Sequence, residues 1–126
     1  MIKAQFNIFG GPLRVCGKSP VTGFFRNGCC DSTQLDPGQH TVCVVISQAF
    51  LEFSMEKGND LVSPNAKADF PGLRPGDKWC VCANRWIEAH EAGKAPKVVL
   101  SATNQSVLDL IEKEVLIGYG IDPVPE

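Results

Sequence analysis

The sequence predicts one small α+β domain with about three strands, three to four short helices and two long loops rich in glycine and proline. Three features carry that expectation. Strand-like segments of alternating or β-branched residues accompany short segments of helical spacing. Turn-forming residues concentrate in two stretches, 10–40 and 59–78. The 126 residues, 44% of them hydrophobic, are enough for a single buried core. The domain is expected to span residues 1–126, with a short tail at 120–126.

In chain order, residues 2–9 place Ile2, Ala4, Phe6 and Ile8 on one face and Lys3, Gln5 and Asn7 on the other. That is the period of a half-buried strand, ended by Gly10-Gly11-Pro12. The run to His40 is turn chemistry, with Gly17, Pro20, Gly23, Gly28, Pro37 and Gly38. Residues 41–46 (TVCVVI) are almost continuously apolar and read as a strand buried on both faces. Ser47 is placed to cap a helix to about Lys57, with Phe50, Leu51, Phe53 and Met55 inward and Gly58 as its terminating glycine. A second turn-rich loop follows. Residues 79–82 are short and apolar, and residues 83–92 read as a helix closed by Gly93. Residues 97–102 read as a strand. Thr103 is placed to cap a short helix with Val107, Leu108 and Ile111 inward, and a last helix covers Lys113 to about Tyr119.

Charge excludes some functions. Twelve Lys+Arg oppose 14 Asp+Glu, a net charge of −2 with both signs interspersed. No basic stripe is present to hold a phosphate backbone, so a nucleic-acid partner is not expected. The longest apolar runs fall far short of the ~20 residues that cross a bilayer, and no membrane partner is expected. Residues 1–9 lack the apolar stretch and small-residue cleavage site of a secretory leader. A cytoplasmic location follows, and with it the expectation that Cys16, Cys29, Cys30, Cys43, Cys80 and Cys82 are thiols. Six cysteines would otherwise permit about 15 disulfide pairings, the alternative for an exported chain.

Several longer strings stand out together: Gly10-Gly11-Pro12-Leu13, Thr22-Gly23-Phe24-Phe25-Arg26-Asn27-Gly28-Cys29-Cys30 and His40-Thr41-Val42-Cys43. They continue in Gly58-Asn59-Asp60-Leu61, Phe70-Pro71-Gly72-Leu73-Arg74-Pro75-Gly76-Asp77, Trp79-Cys80-Val81-Cys82-Ala83-Asn84-Arg85-Trp86 and Glu91-Ala92-Gly93-Lys94-Ala95-Pro96. In this order they resemble a family of small, mostly bacterial proteins catalogued as domain of unknown function 2237. The likeness extends over about residues 7–119. It implies one complete family unit and carries no established activity. The family often shows Thr-His-Glu where this chain has Thr103-Asn104-Gln105, so the resemblance supplies no histidine base or ligand there.

Chemistry is concentrated in the cysteines. In an extended strand, residues two apart face one side, so Cys80 and Cys82 are expected to point together. A helix starting after Cys82 would present amide groups and its positive dipole end to a thiolate, favouring a lowered pKa. Packing as small core residues is the alternative reading. Adjacent Cys29 and Cys30 should face opposite sides, one of them able to meet Cys80 or Cys82. Zinc is the cofactor such a set would suggest, with Cys29, Cys30, Cys80 and Cys82 as weak ligand candidates. The Cys-x2-4-Cys knuckle of structural zinc sites is missing, so no cofactor is assigned. Cys43, inside TVCVVI, reads as core.

Arg26 and Arg85 are candidates to clamp an anion, with Asp77 and Trp79 beside them as ligand-binding candidates. The alternative pins the loops through internal ion pairs to Asp31, Asp60 or Asp77. Trp79 and Trp86 read as core, and His90 as a partly buried neighbour of Trp86. Three functions compete: a thiol-dependent domain that binds or transforms a small anionic ligand; an accessory module presenting its loops, residues 71–77 included, to a protein partner; and a zinc-stabilised domain.

Overall fold

A computed structural model describes residues 4–68 and 70–124. Three strands form an antiparallel sheet: β1 (His40–Val45) lies between β2 (Lys78–Cys82) and β3 (Lys97–Val98). Three helices accompany it, α1 (Gln48–Glu56), α2 (Ala83–Glu91) and α3 (Lys113–Tyr119), together with short 3-10 turns at Ala66–Ala68, Leu100–Ala102 and Gln105–Asp109. The expected small α+β architecture is present.

The sheet separates two cores. Val42 and Val44 of β1, with Trp79 and Val81 of β2, face the helices and pack with Phe50, Leu51, Trp86, Ala89 and Leu116. Cys43 and Cys80 point to the opposite face, into a second cluster with Cys16, Cys30 and Ala102. Here the cover is the long loop before β1, which replaces a helix as the packing layer. Burial on both faces explains why TVCVVI is apolar without alternation.

Caps set the helix boundaries. Ser47 Oγ accepts the Phe50 amide at 3.2 Å, and Gly58 follows α1 at φ +82°. Gly93, at φ +72°, ends α2 in the same way. Ser54, not Met55, occupies the fourth buried position of α1, and Met55 is exposed. The reason is angular: Ser54 lies one turn after Phe50, whereas Met55 points about 140° away.

Three segments depart from expectation. Residues 4–9 form no strand, and Ile2 lies outside the described residues. Asn7 Oδ1 accepts the amides of Phe9 (2.9 Å) and Gly11 (3.2 Å), and its Nδ2 donates to the Pro12 carbonyl (3.2 Å). A side chain that satisfies a turn competes with a strand ladder. The strand expected over 97–102 stops at Val98, because the Asp122 carboxylate takes the amides of Leu100 (2.7 Å) and Ser101 (2.9 Å). Asn104, not Thr103, caps the following turn by accepting the Ser106 amide at 3.0 Å. Loop 71–77 is also tied inward: Leu73 is buried, its amide donates to Leu61 O, and Gly76 N donates to Ile46 O. It is therefore an integral part of the packing.

Candidate functional site

The cysteines divide into two classes. Cys16 is bonded to Cys43, and Cys30 to Cys80. The expectation that all six are thiols is corrected for these four; Cys29 and Cys82 alone remain free. Cytosolic chemistry argued for thiols, but tertiary pairing turns on Cα separations of 5.7 Å and 5.3 Å, well inside bonding range. Cys43 and Cys80 are direct cross-strand partners on one sheet face, yet each bonds to a different loop cysteine. Threonines hold both in register: the Cys80 amide donates to Thr22 Oγ1 at 2.8 Å, and the Cys43 amide to Thr103 Oγ1 at 3.2 Å. The sulfurs of Cys16, Cys30 and Cys80 all lie within 4.8 Å of one another.

As expected of adjacent residues, Cys30 is buried in the sulfur cluster while Cys29 faces outward, half-buried. Burial pushes the Cys29 thiol above its usual value, Asp31 raises it further, and Lys18 partly opposes them. That environment stabilises the neutral thiol, so Cys29 is poorly suited to act as a nucleophile.

Cys82 sits differently. It closes β2 and occupies the cap position of α2, with no side-chain capping bond. A bulge in β1 between His40 and Val42 pairs His40 with Cys82 across the ladder. Both residues line a cavity of about 960 Å³ bounded by the 59–70 loop, Trp79 and α2, a volume suited to a small molecule. Asp36, 1% exposed, holds the histidine: His40 Nδ1 lies 2.9 Å from Oδ1 and 3.0 Å from Oδ2. The carboxylate is itself fixed by the amides of His40 (2.8 Å) and Gly38 (3.1 Å). With Nδ1 donating to Asp36, Nε2 is left as the basic nitrogen. The ring packs so closely on Gly38 that a Cβ there would stand 2.7 Å from its Cε1.

The cavity wall also contains Arg26, Lys67 and Arg85, against Asp60, among the described residues. Arg26 Nη1 donates to the Gly23 carbonyl at 2.7 Å and Nη2 to that of Ala68 at 2.9 Å. Its guanidinium lies 5.1 Å from the centre of the Trp79 ring. It braces the wall while adding charge to it. Arg85 Nη1 is 3.3 Å from the Lys57 carbonyl and 3.4 Å from Glu88 Oε1. The carboxylates considered as arginine partners serve turns or neighbouring amides. Asp31 accepts from Asn27, and Asp60 accepts from the amide and side chain of Ser63 and from the Val62 amide, which hold its carboxyl below the ordinary range.

Of the residues singled out from sequence, the cavity brings together Cys80, Cys82, Arg26, Arg85 and Trp79. Cys29, Cys30 and Asp77 are not in its wall; Asp77 accepts the Arg74 amide at 2.9 Å in a turn. His90 stacks on Trp86 at 5.4 Å and meets the Tyr119 hydroxyl at 3.0 Å, as a partly buried histidine of that helix face. The Asp36–His40 pair was missed. Its signal lay in Asp36-Pro37-Gly38-Gln39-His40, a tight-turn sequence with a carboxylate and an imidazole four residues apart.

Asn104 caps the Gln105–Asp109 turn. It is buried, donating to Gln5 Oε1 at 2.7 Å and to the Cys30 carbonyl at 3.1 Å. No curated protein matches the chain. The family described as "Uncharacterized protein conserved in bacteria" (DUF2237) matches residues 6–120. The motifs that resembled it are thus matched over nearly the whole chain, and the protein belongs to that family.

Proposed function

We propose that the protein is a thiol-dependent domain acting on a small anionic ligand, with Cys82 as the reacting sulfur. One observation carries the reading: the free thiol in the cavity wall is the cross-strand partner of an imidazole braced by a buried carboxylate. Both residues line the same cavity, and a change of the Cys82 rotamer is the movement that would bring its thiol to Nε2 while Nδ1 stays on Asp36. Catalytic hydrogen bonds often tighten only when ligand is present. His40 takes the thiol proton, the thiolate displaces a leaving group from an electrophilic centre of the ligand, and the imidazolium, stabilised by Asp36, returns the proton to that leaving group. Arg85, Lys67 and Arg26 favour a ligand carrying carboxylate or phosphate.

Alkylation with peptide mapping tests this. Iodoacetate should modify Cys82 before Cys29 in the native protein, and Arg85→Ala should reduce its advantage over neutral iodoacetamide. His40→Ala and Gly38→Ala should each slow Cys82 labelling by at least about tenfold. An unchanged rate in His40→Ala would remove the basis of the proposal.

A second reading, a module that binds a protein through its loops, draws on exposed Phe25 and Leu35 beside another concavity of about 1050 Å³. A partner that co-purifies with the native protein and with Cys82→Ser, but not with Leu35→Ser, would favour it over thiol chemistry.

A further inference from the structure

The two disulfides are not separate staples. Cys43 and Cys80 are neighbours on adjacent strands. The loop residues bonded to them are also neighbours, since the Cys16 amide donates to the Gly28 carbonyl, two residues before Cys30, at 2.7 Å. Four chain segments therefore bring four cysteines into one buried cluster, closed over by Ala102 and Val99. Stapling the loop to the sheet would not require the bridges to lie sulfur against sulfur. All four residues are at most 4% exposed, so their reduction would leave four thiols together in a closed, apolar pocket.

We propose that, once reduced, Cys16, Cys30, Cys43 and Cys80 form a structural site for a soft divalent cation of the zinc class. Zinc held by four thiolates at about 2.3 Å has its sulfurs roughly 3.8 Å apart. Three of these sulfurs already lie within 4.8 Å of one another, and the fourth, that of Cys43, is bonded to one of the three. The Cys43 sulfur stands beyond 4.8 Å from at least one of Cys30 and Cys80, but through its bond to Cys16 it is within about 7 Å of both. Gathering all four at the tetrahedral spacing therefore moves sulfurs by up to about 3 Å, within reach of side-chain torsions. Thiolates select soft metals, and four protein ligands leave no open position, so the metal would hold the fold and not the substrate. The ligand set differs from the weak candidates of the sequence, Cys29, Cys30, Cys80 and Cys82, whose spacing lacks a zinc knuckle. It is also independent of the proposed reaction, because Cys82 is not a member.

The chemistry balances. Each bridge consumes one equivalent of a phosphine reductant and one water, giving two thiols and a phosphine oxide. One zinc ion then displaces four thiol protons. The metal and the two disulfides are alternative ways of joining the same four segments: two equivalents of a small disulfide oxidant, reduced to four thiols, would re-form both bridges and release the cation.

The test is to reduce the protein with a phosphine without oxygen, add one equivalent of cobalt(II), and record the visible spectrum. The expected result is the sulfur-to-metal and d–d absorption of a tetrahedral tetrathiolate, abolished when zinc displaces the cobalt. After desalting, elemental analysis should find one zinc per reduced chain and none per oxidised chain. The Cys29→Ser/Cys82→Ser variant should bind one zinc as the native protein does, and Cys16→Ser/Cys43→Ser should retain no zinc. No zinc on the reduced native protein, a cobalt spectrum without thiolate bands, or loss of the metal in Cys29→Ser/Cys82→Ser would each overturn the proposal. The cobalt spectrum needs no variant, so misfolding of the serine proteins does not blunt the test.

Discussion

Removing the Cys30–Cys80 bridge by Cys30→Ala/Cys80→Ala, under non-reducing conditions and with a chelator present, isolates what the larger covalent loop contributes. The bridge spans 50 residues of sequence, the Cys16–Cys43 bridge 27. Loop closure in the unfolded chain scales with the logarithm of those spans, which gives about 4 kcal/mol for the first and about 3.5 kcal/mol for the second. Domains of this size have about 5–15 kcal/mol in total, so the first bridge alone is a large share. For a chain of this length, each kcal/mol corresponds to about 4 °C in Tm, and the double variant should melt about 15 °C lower. The two spans overlap between residues 30 and 43, so removing both bridges should cost less than the sum of the separate losses. Calorimetry of the native protein and of both alanine pairs, with and without phosphine, measures all of this. A loss below about 1 kcal/mol in Cys30→Ala/Cys80→Ala, or a native Tm indifferent to reductant, would show that this bridge does not carry the fold.

Three further outcomes follow from the same structure. Thr22→Val removes the acceptor of the buried Cys80 amide, and urea unfolding should register a loss of roughly 1–3 kcal/mol. Partial burial pushes the Asp122 carboxyl up, but hydrogen bonds from Ser101 and Leu100 outweigh it and hold the group below its usual value. A carboxylate with a depressed folded pKa contributes stability above the unfolded value, and that stability is lost as pH falls through the folded value. Acid titration of Asp122→Asn, followed by circular dichroism, should therefore show a shallower loss of stability below about pH 4 than the native protein. Cys29 alkylation, mapped by mass spectrometry, should keep accelerating with pH beyond the range of an ordinary thiol. Asp31→Asn should shift that profile to lower pH, by removing the charge that adds to burial in raising it.

Much of the fold was readable because its signals are local. TVCVVI, the Ser47 cap, the glycines at 58 and 93 and the spacing of residues 113–119 each mark an element through the geometry of a few consecutive residues. Strand-like patterning over residues 4–9 and 97–102 is also local, but in both places a polar side chain ends or replaces the strand. In the first case that group is the Asn7 side chain bonding within its own turn. In the second it is Asp122, more than 20 residues distant.

Sequence alone determined the class of the domain, its family likeness, its strand and helix cores and the concentration of chemistry in cysteine. It also showed that adjacent Cys29 and Cys30 must face apart, since side chains alternate along extended chain. Only tertiary structure decided which sulfurs meet. Pairing Cys16 with Cys43 and Cys30 with Cys80, and leaving Cys82 opposite His40, depends on loop closures of tens of residues and on a bulge that shifts the register by one. A sulfur's chemistry follows from what lies within a few ångströms of it, and for this chain those neighbours are distant in sequence.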